Sequence, residues 1–110
     1  MSRFSVNIEV LVVANCPHRA GAERLMREVL DDAGLGDIAV RTTRIESEDQ
    51  AVAMDFAGSP SFRINGEDPY PVATPPSLAC RLYRTGVGLG GLPDRAALTD
   101  AVERARGDQR

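Results

Sequence analysis

At 110 residues, 43% hydrophobic and 26% charged, the chain is sized for one domain with its own core, residues 1–110 as a single unit. A formal net charge of -3 argues against a broad nucleic-acid footprint, and no apolar stretch approaches membrane-spanning length. Two cysteines, Cys16 and Cys80, are too few for a disulfide scaffold, and in the reducing cytoplasm, the expected compartment, both should be thiols.

The N-terminus carries Arg3, but Glu9 interrupts the apolar run that a leader would need, and no small-residue cleavage site follows. Residues 6–14 mix alternation with the continuous Leu11-Val12-Val13, which suits a central strand buried on both faces. The run stops at Asn15-Cys16-Pro17-His18. Pro17 fits the first helical position, where no N–H is needed, and this puts Cys16 at the N-cap. A thiol at the positive end of a helix is biased toward thiolate, the reactive form. Ala22, Leu25, Met26, Val29, Leu30 and Ala33 then form one helical stripe, Glu23 and Arg27 an i,i+4 pair, and Gly34 the stop.

Residues 37–44 form a short strand, with Ile38 and Val40 on one face. Ser47 and Gln50 spell a capping box for a helix running to about Phe56, with Val52 and Phe56 as its apolar face. Gly58-Ser59-Pro60 breaks that helix. Phe62 and Ile64 alternate with Ser61 and Arg63 in a third strand, and Asn65-Gly66 marks a turn. Residues 67–77 hold Pro69, Pro71, Pro75 and Pro76, a stiff ordered surface loop. A strand over residues 79–85 would bury Cys80 as a structural thiol beside Leu82. Glycines 86, 88, 90 and 91 make a permissive turn. Pro93-Asp94 opens a last helix with Ala97, Leu98, Ala101, Val102 and Ala105 as its stripe, and residues 107–110 are a frayed tail.

The order strand, helix, strand, helix, strand, strand, helix carries a cysteine at the first strand-to-helix junction, Ser59-Pro60 before the third strand and a Gly-rich turn before the last helix. Together these resemble the thioredoxin-like fold over nearly the whole chain. The resemblance implies an α/β domain with a central mixed four-stranded sheet flanked by helices. It implies a cis peptide bond at Pro60 facing Cys16, with the backbone just before it pairing with substrate and residues 88–91 as a third wall of the groove. Cys16-Pro17-His18, Gly58-Ser59-Pro60 and the run from Ser77 to Tyr83 further resemble a group of small bacterial thioredoxin-family proteins, some of which carry an alkylmercury-lyase-like label.

One departure matters. Dithiol oxidoreductases of that family carry Cys-x-x-Cys, and here Arg19 stands where the second cysteine would be. The surviving chemistry is a monothiol mode, in which Cys16 forms mixed disulfides with glutathione or a protein thiol. Cys16 is then the catalytic residue, and Ser59, Pro60, Arg19 and His18 are the substrate-binding candidates, with Arg19 and His18 tuning the thiolate or, for Arg19, holding a glutathione carboxylate. No resident cofactor other than glutathione is expected. Cys16 and His18 are too few for a structural metal site. Two alternatives belong to other classes. One is a non-catalytic interaction module on the same scaffold. The other is handling of a soft metal or an organomercurial by Cys16 with Cys80, suited to Hg(II) or Cu(I). A sheet edge and the Pro-rich loop leave room for a homodimer.

Overall fold

A computed structural model describes residues 6–70 and 75–107. The expectations for Arg3, for Pro71 and for the last three residues lie outside these. Among the described residues the chain is mixed α/β: β1 (Ile8–Val13), α1 (Arg19–Asp32), β2 (Val40–Ile45), α2 (Glu48–Ala53), β3 (Ser61–Ile64), β4 (Tyr83–Thr85), β5 (Gly88–Gly90) and α3 (Arg95–Gly107).

β1 is central. It pairs in parallel with β2, from Ile8↔Val40 to Val13↔Ile45, and antiparallel with β3, from Ile8↔Ile64 to Leu11↔Ser61. Both of its faces are covered, as its unbroken apolar run requires. Val10 and Val12 face α1 and α3 in a core with Ala22, Met26, Val29, Leu30, Phe62, Leu98 and Val102. Leu11 faces a smaller core with Ile45, Ala51 and Phe56. Truncating a fully buried leucine such as Leu30 to alanine removes ~2–5 kcal/mol.

α1 ends as its sequence demands. Gly34 adopts φ +78, its N–H donates to Asp31 O at 3.2 Å, and the Leu35 N–H reaches Leu30 O at 2.8 Å. The surface pairs differ from the expected one: Glu23 pairs back with Arg19, and Arg27 pairs forward with Asp31. Arg27 also explains why β2 starts at Val40 instead of residue 37. Its Nη1 donates to Ile38 O at 2.8 Å, and its Nη2 donates to Leu35 O at 3.3 Å and Gly36 O at 3.2 Å. These bonds gather residues 35–38 into a turn around the guanidinium, ahead of the strand.

Ser47 caps α2 through Gln50 N–H to Ser47 Oγ at 3.0 Å. The Gln50 side chain accepts from Glu46 N–H, one residue earlier than a capping box prescribes. The helix stops at Ala53, short of Phe56, because Asp55 turns to φ +53 and Arg63 Nη2 on β3 donates to Met54 O at 2.7 Å. Val52 consequently points outward, 65% exposed, and Ala51 with Phe56 makes the inward face.

The expected four-stranded sheet is three-stranded, in the order β2-β1-β3, and among the described residues β4 pairs only with β5, in a separate hairpin. Side chains meet β3 where a fourth backbone would run. Arg81 Nη1 donates to Ser61 Oγ at 3.0 Å, and Tyr83 OH donates to Pro60 O at 2.5 Å. The expected strand over residues 79–85 is therefore only Tyr83–Thr85, and part of the expected Gly-rich turn becomes β5. In α3 the stripe is Leu98, Ala101 and Val102 with Ala105 partly buried, and Ala97 is exposed.

Candidate functional site

Cys16 and the Ser59-Pro60 step meet at the C-terminal end of β1. The helix does not start at Pro17. Asn15 takes φ +61, Cys16 N–H closes on Val13 O at 3.3 Å, and Arg19 N–H closes on Cys16 O at 3.3 Å. These two tight turns delay α1 to Arg19, with His18 at the N-cap and Ala22 N–H to His18 O as the first helical bond at 2.8 Å. Cys16 thus lies two residues ahead of the cap, a correction to its expected N-cap position. It is half-buried, packed at the margin of the larger core, and is a free thiol.

His18 provides no side-chain cap. Its imidazole lies against Gly91, where a Cβ would meet Nε2 at 2.3 Å and Cδ2 at 2.5 Å. The bare glycine is what lets the ring sit there, and it joins the start of α1 to the stretch between β5 and α3.

Arg19 turns along the outer side of α1. Its Nε pairs with Glu23 Oε2 at 3.2 Å, and Glu23 accepts the Thr42 hydroxyl at 2.5 Å. The Thr42 hydrogen bond holds the Glu23 carboxyl below its usual range against some opposing desolvation, and the Arg19 cation adds to the effect. Arg19 also lines a cavity of about 470 Å³ with Thr42 and Arg44 of β2 and with Glu46 and Gln50 beyond it.

Ser59 and Pro60 approach from the β3 side, and the peptide bond between them is cis. Val13 N–H donates to Ser59 Oγ at 3.1 Å, so the serine side chain continues the β1–β3 ladder beyond Leu11↔Ser61. Ser59 and Pro60 are buried. The main chain of Ser59 is occupied: its N–H donates to Ala79 O at 2.9 Å and its carbonyl accepts from Arg81 N–H at 3.0 Å, a parallel bridge between Ser59 and Cys80. The edge that the resemblance assigned to a substrate backbone is filled here by the chain itself. Gly58 makes this approach possible with φ +119, since a Cβ there would lie 3.0 Å from Arg81 Cβ and 3.2 Å from Ala79 O.

Cys80 is a second correction. It is exposed and free, in an isolated bridge, where the sequence suggested a buried strand thiol. The residue after it, Arg81, is the buried one. Its guanidinium pairs with Asp68 Oδ2 at 2.6 Å, donates to Tyr70 O, and lies 4.7 Å from the centroid of the Tyr83 ring. Sequence reasoning missed this anchor, because a lone arginine in a strand pattern reads as a solvated edge. Its signal was the acidic Asp68 in an otherwise proline-marked loop. Among the described residues no cluster of three or more His, Cys, Asp or Glu side chains could hold a metal ion, and no helix is long and apolar enough to cross a membrane.

No family model, curated protein or solved structure matches this chain.

Proposed function

We propose that the chain is a thiol-dependent redox or thiol-binding protein, of thioredoxin-like fold, acting through Cys16. The observation that carries this reading is the Val13–Ser59 hydrogen bond. Val13 holds Ser59-Pro60 through its N–H and the Cys16 turn through its carbonyl, so the thiol and the buried Ser-Pro step share one strand end. A half-buried thiol beside a preorganised wall suits attack on a small disulfide. Cys16 thiolate attacks one sulfur of oxidised glutathione, the glutathione S–S bond breaks, a Cys16–glutathione disulfide forms, and one glutathione thiolate leaves and takes up a proton. His18 and Arg19 border the turn, with Arg19 on the polar cavity, where its guanidinium fits a carboxylate of the tripeptide.

The test is mass spectrometry after exposure to oxidised glutathione. The Cys80→Ser protein should gain one glutathione, mapped to Cys16. An unmodified Cys16 in the folded protein overturns the proposal.

A second reading, a non-catalytic interaction module, draws support from the apolar residues Leu82, Val87 and Leu89 on and beside the β4–β5 hairpin, all well exposed. It requires that the Cys16→Ser protein capture its partner as the wild type does, and loss of capture on that change counts against it.

A further inference from the structure

The missing second thiol of the Cys16 site has a candidate on the far side of Ser59. Three hydrogen bonds place it. Ser59 N–H to Ala79 O and Arg81 N–H to Ser59 O flank Cys80, and Val13 N–H to Ser59 Oγ ties that bridge to the strand end whose carbonyl closes the Cys16 turn. From Cys16 to Cys80 the path is Val13, then Ser59, then one bridge. Ser59 is thus the one residue that both the Cys16 strand end and the Cys80 bridge hold.

Both neighbours of Cys80 are tied to Ser59, and Arg81 is the more firmly seated of the two. Arg81 is fixed by its buried ion pair to Asp68 and its bond to Ser61 Oγ. Ala79 and Cys80 are exposed. Cysteine is among the most buried of residue types when its role is packing, and an exposed free cysteine next to a buried anchor is not explained by packing. The arrangement presents an exposed thiol next to a fixed point, one bridge away from Ser59, in a chain with two cysteines.

Resting on the reading of Cys16 as a reactive thiol, we propose that Cys80 is its resolving cysteine, taking the part that Arg19 cannot play. Once Cys16 carries glutathione, the Cys80 thiolate attacks Cys16 Sγ. The Cys16–glutathione bond breaks, a Cys16–Cys80 disulfide forms, and the second glutathione leaves as thiolate and is protonated. The sum is two protein thiols oxidised and one glutathione disulfide reduced to two glutathione thiols. The bridge needs the two Cα atoms within ~7 Å, a closure that Ala79 and Cys80 make by giving up the hydrogen bond to Ser59 N–H while Arg81 stays seated.

The experiment is to treat the full chain with oxidised glutathione, count glutathione released per chain, and map the products under non-reducing conditions. Expected for the wild type are two glutathiones released, no adduct retained, a monomer, and a cross-linked peptide joining Cys16 to Cys80. The second release should proceed at a rate independent of protein concentration. The Cys80→Ser protein should release one and keep its Cys16 adduct. If the wild type also stops at a Cys16 adduct, or forms bridged dimers, the resolving role falls while the Cys16 reading stands. If Cys16→Ser gains glutathione on Cys80 as fast as the wild type reacts, the two roles are reversed and this assignment fails. If neither thiol takes glutathione, the Cys16 reading falls with it.

Discussion

Arg81 Nη1 donates to Asp68 Oδ2 at 2.6 Å, with the arginine side chain 3% exposed. This pair is the lock of the β4 side of the molecule. It ties the start of the proline-rich loop to the segment that bridges Ser59. Removing one partner leaves a buried charge unmatched, so Asp68→Ala should cost ~3–5 kcal/mol. The exposed pair Arg44–Glu46, at 2.7 Å, should cost under ~1 kcal/mol on Glu46→Ala. Urea denaturation separates the two: a large fall in midpoint at constant slope for Asp68→Ala, and almost none for Glu46→Ala. Equal shifts would mean the Arg81 pair is not a buried lock.

Ser59 stands in for a strand residue by offering Oγ to Val13 N–H at 3.1 Å. Ser59→Ala leaves that amide without its acceptor at a part-buried position, a loss of ~1–3 kcal/mol. Amide exchange of Val13 should accelerate more than that of Val12. A Val13 amide as protected as before would show that another acceptor replaces the hydroxyl.

The packing of His18 on Gly91 leads to a different kind of outcome. Gly91→Ala must push the imidazole aside, since Nε2 lies 2.3 Å from the new Cβ. The ring is an exposed side chain free to swing into solvent, so stability should change by no more than ~0.5 kcal/mol. The His18 ring proton shifts should move toward those of a solvated histidine. A loss of several kcal/mol would mean that the contact holds the end of β5 against α1 and is not merely a resting place.

Legibility in the sequence followed the reach of the interaction. Local signals were dependable. Gly34 ends its helix, Ser47 caps the next, Asn65 and Gly66 both take positive φ in their turn, and Phe62 and Ile64 bury together. The apolar run of β1 announced a strand covered on both faces. What sequence could not supply were the places where a distant side chain displaces a backbone partner. Arg27 holds residues 35–38 out of β2, Arg63 ends α2 early, and Arg81 and Tyr83 stand where a fourth strand was expected. Each is a side chain whose polar end reaches a distant backbone or hydroxyl, and periodicity reads an arginine as solvated and a tyrosine as core without naming that partner. The candidate site shows the same division. The Cys16 junction and the Ser59-Pro60 step were visible as motifs. The exposure of Cys80 depended on Arg81 finding Asp68, a partner 13 positions upstream that no spacing rule singles out.

Alkaline pH should unlock the aromatic cluster. Tyr70 packs edge-on to Tyr83 at 5.2 Å between centroids, and burial, reinforced by the Asp68 charge, pushes its phenol up to about 12 from 10.0 despite the opposing Arg81 and Arg104 cations. Burial moves Tyr83 further in the same direction. Above about pH 10 an unfolded tyrosine loses its proton while the folded one keeps it. The folded state then binds more protons than the unfolded, and stability falls as pH rises. The contribution of Tyr70 is fully present below pH 10 and is lost through about pH 12, a fall of ~1–2 kcal/mol once solvent screening is allowed for. Denaturation of Tyr70→Phe should show a shallower alkaline decline than wild type. The same variant should cost little at pH 7, because the Tyr70 hydroxyl is buried without a hydrogen-bond partner among the described residues. Tyr83→Phe removes the bond to Pro60 O and should cost ~1 kcal/mol at every pH below 10. A wild-type stability flat from pH 9 to 12 would show that the two phenols ionise freely in the folded chain and that the cluster is open to water.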